Sequence, residues 1–71
     1  MDRAMWKRHL EIAEKHVALS ERLVAAQKVV VAELQRDGHS NQLARRILKT
    51  YEDLLGFHRA DRDRLRKELE S

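Results

Sequence analysis

Four histidines are the side chains of this sequence best suited to bind a metal ion or to change charge near neutral pH. His9 and His16 are seven residues apart, which places them on one face of a helix, and Asp61 follows His58 by three residues. Inward-facing His and carboxylate side chains form the metal sites of helical bundles, yet the Glu-x-x-His and His-Glu-x-x-His spacings of such sites are absent here. We therefore expect no metal and a packing role for His9, His16 and His58 at a wet bundle end. A pH-sensitive interface is the open alternative.

A second group with chemical potential consists of basic side chains near the break between two helical patterns. The members of this basic group are Arg36, His39, Arg45, Arg46 and Lys49. Cations at the start of a helix oppose its dipole, so a bound phosphate or another anion would stabilise them. The plainer interpretation is pairing with the carboxylates of Glu33, Asp37, Glu52 and Asp53. Nucleic acid is the less favoured anion, because aromatic residues for stacking are few and no long basic stripe is present.

Catalysis has little support in the sequence. Cysteine and a glycine-rich phosphate loop are absent, and serine occurs only at positions 20, 40 and 71. Ser20 could approach His58 across a hairpin as a nucleophile approaches a base, but no third group or oxyanion donor accompanies the two. We expect no enzyme activity, no catalytic residues and no cofactor, with Ser20 filling a small polar gap between helices.

The elements that position these residues are two long helices separated by one turn. The sequence contains no proline, and Gly38 is suited to end the first helix in a left-handed conformation. Asp2 is a suitable N-cap for the first helix, and Ser40 is one for the second. These signals predict a helix over about 3–36, a turn at 37–40 and a helix over about 41–69, within a single domain spanning 1–71.

Apolar residues recur along both helices at heptad spacing, and the first helix carries two adjacent stripes. The first stripe is Trp6, Leu10, Ala13, Val17, Ser20, Val24, Gln27, Val31 and Leu34. The second stripe is Met5, His9, Ile12, His16, Leu19, Leu23, Ala26 and Val30. The stripe of the second helix is Leu48, Tyr51, Leu55, His58, Arg62, Leu65 and Leu69, widened by Leu43, Ile47, Leu54 and Phe57. Such faces are too wide for a simple two-stranded coiled coil, so each helix requires two partners.

These patterns predict an all-α fold, a hairpin of two antiparallel helices that dimerises into a four-helix bundle. A lone hairpin would leave a row of apolar side chains exposed, which marks an interaction surface. The expected interface residues of the homodimer are Leu19, Leu23, Val30, Leu54 and Phe57. A trimer or a different protein partner is the alternative occupant of this surface.

A tight antiparallel turn also predicts which residues face each other. Positions whose numbers sum to roughly 77 should be paired, which places Gln27 opposite Tyr51 and Ser20 opposite His58. Gly56 lies inside the second helix, where glycine costs about 1 kcal/mol relative to alanine. We expect it to permit close approach of a neighbouring helix, or else to be a tolerated exposed glycine.

Composition limits the cellular setting that we expect. Charged residues make up 38% of the chain, and their signs are interleaved to give a net charge of +3, which is typical of solvated helix faces. No apolar stretch approaches the roughly 20 residues that span a bilayer, and no signal-peptide pattern follows Met1. We expect a cytoplasmic protein that does not associate with membranes.

Three segments resemble a group of small bacterial helical-hairpin proteins of unknown function, namely HLEIAEKHVA (9–18), LQRDGH (34–39) and HRADRDRL (58–65). The resemblance implies a two-helix fold and a bacterial cytoplasmic setting, and it implies no activity. In that group histidine recurs every seven residues along the first helix. Here Leu23 stands at the third such position, which further disfavours a metal site.

The sequence as a whole predicts a non-enzymatic structural or protein-interaction module that self-associates through a wide apolar face. The alternative function is binding of an anionic partner, phosphate or nucleic acid, through the basic group.

Overall fold

The computed structural model describes residues 2–71 and shows two helices packed against each other as an antiparallel hairpin. Helix α1 runs over Arg3–Arg36 and helix α2 over Gln42–Glu70, with no strand in the described part of the chain. The pair extends 54 Å along its long axis and 14 Å in each of the other directions. The expected all-α hairpin is thus confirmed.

The ends of α1 follow from local side-chain and backbone chemistry. The Asp2 carboxylate accepts a 2.8 Å hydrogen bond from the backbone N–H of Met5, which is the geometry of an N-cap. At the other end Gly38 has a φ of +75°, and its N–H donates to the carbonyl of Gln35 while the His39 N–H donates to that of Leu34. This pair of bonds is a Schellman motif, which the absence of a Cβ on glycine makes inexpensive.

The start of α2 differs from the expectation. The N-cap is Asn41 rather than Ser40, and the connection therefore covers 37–41. The Schellman turn occupies Gly38 and His39, so Ser40 is still in the connection when the chain reaches helical geometry. Asn41 makes no side-chain capping bond, and the first turn of α2 contains no acidic residue. The first backbone N–H groups of α2 consequently lack a side-chain acceptor.

The core lies along the first stripe of α1. All nine of its members are buried or partly buried, whereas every other described residue of α1 is exposed. Val17 and Val24 form a cluster with Leu55 of α2, against which Leu48 and Tyr51 pack. Near the turn Leu43 is 69% exposed, and Leu54 and Phe57 of the same widening row are also exposed, whereas Ala44, the neighbour of Leu43, is buried. A small side chain there allows the two helices to approach closely.

Contacts between the two helices show how they are aligned. The side-chain amide of Gln27 donates to the backbone carbonyl of Ala44 rather than lying opposite Tyr51 at hydrogen-bonding distance. His58 stacks near the ring of His16, one helical turn below Ser20. On the other side of the hairpin Arg59 pairs with Glu21, so the cross-helix contacts scatter around the expected pairing.

Gly56 does not mediate close helix approach within the hairpin. A Cβ built at this position would have no heavy atom within 4 Å, and the residue is exposed. Within the hairpin Gly56 is therefore an exposed glycine, and it permits no close approach between α1 and α2.

Candidate interaction surface

The second stripe of α1 is exposed along its whole length, since the first stripe alone faces α2. Its large apolar members range from 40% exposed, for Leu23 and Val30, to 54% exposed, for Leu19. Met5 and Ile12 belong to the same row and are similarly exposed. The row therefore runs from the open end of the hairpin almost to the turn.

Helix α2 extends this row sideways. Phe57 is 78% exposed and Leu54 is 46% exposed, although both are large apolar residues. Together with His16, His58 and Asp61 they line an open cavity of about 470 Å³ between the helices. This shared cavity places Leu54 and Phe57 on the same side of the hairpin as the second stripe. We call the second stripe together with Leu54 and Phe57 the apolar face.

The other side of the hairpin is charged. Glu21 and Lys28 of α1 line a groove there with Glu52 and Arg59 of α2. The Arg59 guanidinium lies 4.0 Å from the Glu21 carboxylate, so an ion pair crosses the two helices on this side. Exposed pairs of this type contribute little to stability, but they keep the surface hydrated. Apolar surface is thus concentrated on one side of the molecule, as in a helix pair that is covered on that side.

Three of the histidines lie on or beside the apolar face. The ring centroids of His16 and His58 are 5.1 Å apart, with the ring planes tilted by 56°. His9 packs edge-on against Trp6, with 6.4 Å between ring centroids. His9 and His16 also line a cavity of about 250 Å³ with Asp61 and Arg64 of α2. The expected grouping of His9, His16 and His58 is therefore present.

Arg64 is a member of this cluster that the sequence reasoning missed. Its guanidinium donates to the Asp61 carboxylate at 2.7 Å. The signal was present in the sequence, because residues three apart on a helix are neighbours. Asp61 is consequently paired with a cation of its own helix. Among residues 2–71, no group of three or more His, Cys, Asp or Glu side chains is arranged to hold a metal ion.

Ser20 and His58 do not form a nucleophile–base pair in the described structure. Ser20 is buried between the helices, and no hydrogen bond joins its hydroxyl to the imidazole. The contact of His58 is instead with the ring of His16. The position of Ser20 is that of a small residue at a close helix crossing.

The basic group is only partly neutralised. Arg36 lies 3.5 Å from the Asp37 carboxylate, and Lys49 lies 3.6 Å from that of Asp53. Within residues 2–71 no carboxylate oxygen lies within 4.0 Å of Arg45 or Arg46. The turn itself forms an open concavity of about 420 Å³, lined by Gln35, Gly38, His39, Ser40, Asn41, Gln42 and Arg45. The expected carboxylate pairing thus holds for two members of the group.

Comparisons with protein-family models, with curated proteins and with solved structures give no match for this chain. In the described part of the chain, neither α1 nor α2 is long and apolar enough to cross a membrane.

Proposed function

We propose that this chain is a non-enzymatic protein-interaction module whose apolar face binds a second copy of itself to form a four-helix bundle. The observation that carries this proposal is the one-sided distribution of exposed apolar residues. A single hairpin leaves Leu19, Leu54 and Phe57 in water, while the opposite side carries Glu21 and Arg59. Fully burying each large apolar side chain contributes about 1.5–3 kcal/mol, so covering the face is strongly favourable.

The surface area of the hairpin supports a second copy as the partner. A compact monomer of 8.4 kDa exposes about 4,600 Å², whereas this chain exposes 5606 Å². The excess of about 1,000 Å² arises because two long helices cover each other along only one stripe each. A stable interface buries about 800 Å² on each partner. A two-fold dimer through the apolar face would therefore reduce the exposed area of each chain nearly to that of a compact monomer of the same mass.

Symmetry is a further reason to favour a second copy. A two-fold axis brings the same patch of both chains together, so the patch must complement itself. An apolar row with few fixed charges meets this requirement, because it places no pair of like charges in direct contact at neutral pH. The row also repeats at heptad spacing over Met5 to Val30, which is the pattern that interlocks between neighbouring helices of a bundle.

Sedimentation equilibrium of the whole chain across a micromolar concentration series tests the proposal. We expect a dimer mass and a thermal midpoint that rises with concentration. Leu19→Glu should give a monomer, since it places a charge in the middle of the apolar face. Val29→Glu is the matched control, because Val29 is also 54% exposed but belongs to neither stripe. A fully helical wild-type monomer throughout the series would contradict the proposal.

The second candidate function is binding of an anionic partner at the turn. It is supported by the two unpaired arginines, Arg45 and Arg46, beside backbone N–H groups of α2 that no side chain caps. Inorganic phosphate and a short generic DNA duplex are suitable probes, and binding should weaken with added salt. Arg45→Glu with Arg46→Glu should abolish it, while Arg8→Glu at the far end of α1 serves as the control. Equal binding by both variants would contradict this function.

A further inference from the structure

Two imidazole rings from different helices meet on the surface that the proposed dimer covers. His16 belongs to the second stripe of α1 and His58 to α2, and their ring centroids are 5.1 Å apart. Both line the same cavity as Leu54 and Phe57. Two neutral imidazoles carry no net charge, so burying them costs only the hydrogen bonds to water that their ring nitrogens lose. Two protonated ones would be removed from water by the second copy, which makes each charge costly to bury and leaves their mutual repulsion less screened.

The charged groups around this pair do not offset such a change. Asp61 is the carboxylate beside both rings, and Arg64 already pairs with it at 2.7 Å. His9 adds a third titratable imidazole at the neighbouring cavity. On the remaining sides, Arg59 pairs with Glu21 across the charged groove, and Arg62, one turn after His58, pairs with Asp63 at 3.0 Å. The charges of Asp61 and Arg64 cancel. The cluster of these two residues and the three histidines is therefore neutral when the histidines are neutral and carries three positive charges when they are protonated.

We infer that protonation of the His16–His58 pair separates the two copies, so that this module is assembled at neutral pH and dissociates in mild acid. This inference rests on the proposed function, since the pair matters only if a second copy covers it. The direction of this pH effect follows from proton linkage. The free hairpin binds the extra protons in water more readily than the dimer does at a closed apolar interface. Lowering the pH therefore favours the free hairpin.

Sedimentation velocity at about pH 7.5 and about pH 5.0, at equal ionic strength, tests the inference across the range in which histidine ordinarily titrates. The dissociation constant of the wild-type dimer should rise roughly tenfold or more at the lower pH. His16→Gln combined with His58→Gln keeps polar side chains of similar size that cannot gain a proton in this range. That variant should stay dimeric at both pH values. His39→Gln, at the turn, should keep the wild-type response.

Several outcomes separate the two levels of the proposal. A dimer of unchanged affinity at both pH values overturns the pH response alone. A monomer already at pH 7.5 overturns the self-association and the pH response with it. A double variant that still dissociates in acid assigns the response to other groups and also overturns the inference. Helicity measured by circular dichroism identifies a variant that has failed to fold, and His16→Gln alone then serves as the test because His16 is exposed in the hairpin.

Discussion

Gln27 of α1 donates a 3.0 Å hydrogen bond from its side-chain amide to the backbone carbonyl of Ala44 in α2. This bond is partly buried and joins positions 17 residues apart in the chain. A polar residue in an otherwise mostly apolar stripe is thus explained, because its amide fixes how far α2 slides along α1. Apolar contacts alone are non-directional and would tolerate a shift of one turn.

Replacing Gln27 by alanine should therefore lower the free energy of unfolding by about 1 kcal/mol, despite the better helix propensity of alanine. Urea denaturation at a fixed protein concentration measures this change. Gln35→Ala is the control, because Gln35 lies exposed in the same helix and reports propensity alone. Equal effects of the two substitutions would show that the bond to Ala44 contributes nothing to stability.

Much of the fold could be predicted because it depends on periodicity and on local capping chemistry. The nine members of the first stripe were grouped by heptad spacing, and all nine are buried or partly buried. The Asp2 carboxylate caps α1, and Gly38, which lacks a Cβ, ends it in the left-handed conformation. The second stripe could be recognised as apolar, and its exposure follows because one hairpin partner can cover only one stripe.

The features that were predicted wrongly depend on the path of the connection, which local patterns do not determine. Ser40 and Asn41 can both serve as N-caps. Because Gly38 and His39 form the Schellman turn, Ser40 still belongs to the connection and Asn41 is the N-cap. Near the same turn Ala44 is buried and Leu43 is exposed. The pairing of Asp61 with Arg64 depends on side-chain rotamers. Their spacing in the sequence shows that the two residues are neighbours on the helix, but it does not determine that they pair.

Gly38→Ala should destabilise the hairpin by about 1 kcal/mol, because an L-amino acid with a Cβ is strained in the left-handed region. The φ of Gly38 is +75°, and the conformation is held by the two bonds of the Schellman motif. A loss of this size corresponds to a fall of about 4–8 °C in the thermal midpoint for a domain of this length. Gly38→Asn should cost less, since asparagine adopts that region more readily. An unchanged midpoint for both variants would contradict the assigned turn.

Gly56→Ala should have the opposite effect to Gly38→Ala and raise the free energy of unfolding by about 0.5–1 kcal/mol. The residue is helical and exposed, and an added Cβ would have no heavy atom within 4 Å in the hairpin. Thermal unfolding at one protein concentration provides the measurement, with Gly38→Ala as the paired substitution of opposite effect. A marked loss of stability or of dimer would instead place Gly56 at a contact between copies, outside the apolar face.

Ser20 provides a test of the packing role assigned to it. It is buried at 7% exposure between the helices, in the same stripe as Ala13 and Val17. Ser20→Ala should be neutral or stabilising by about 0.5 kcal/mol, because alanine has the higher helix propensity and buries no hydroxyl. Ser20→Leu should destabilise by about 1–3 kcal/mol, since the larger side chain would force the helices apart. Urea denaturation of both variants measures these changes. A clear loss of stability in Ser20→Ala would mean that the hydroxyl makes a contact essential to the hairpin, and the assignment as a small packing residue would then be wrong.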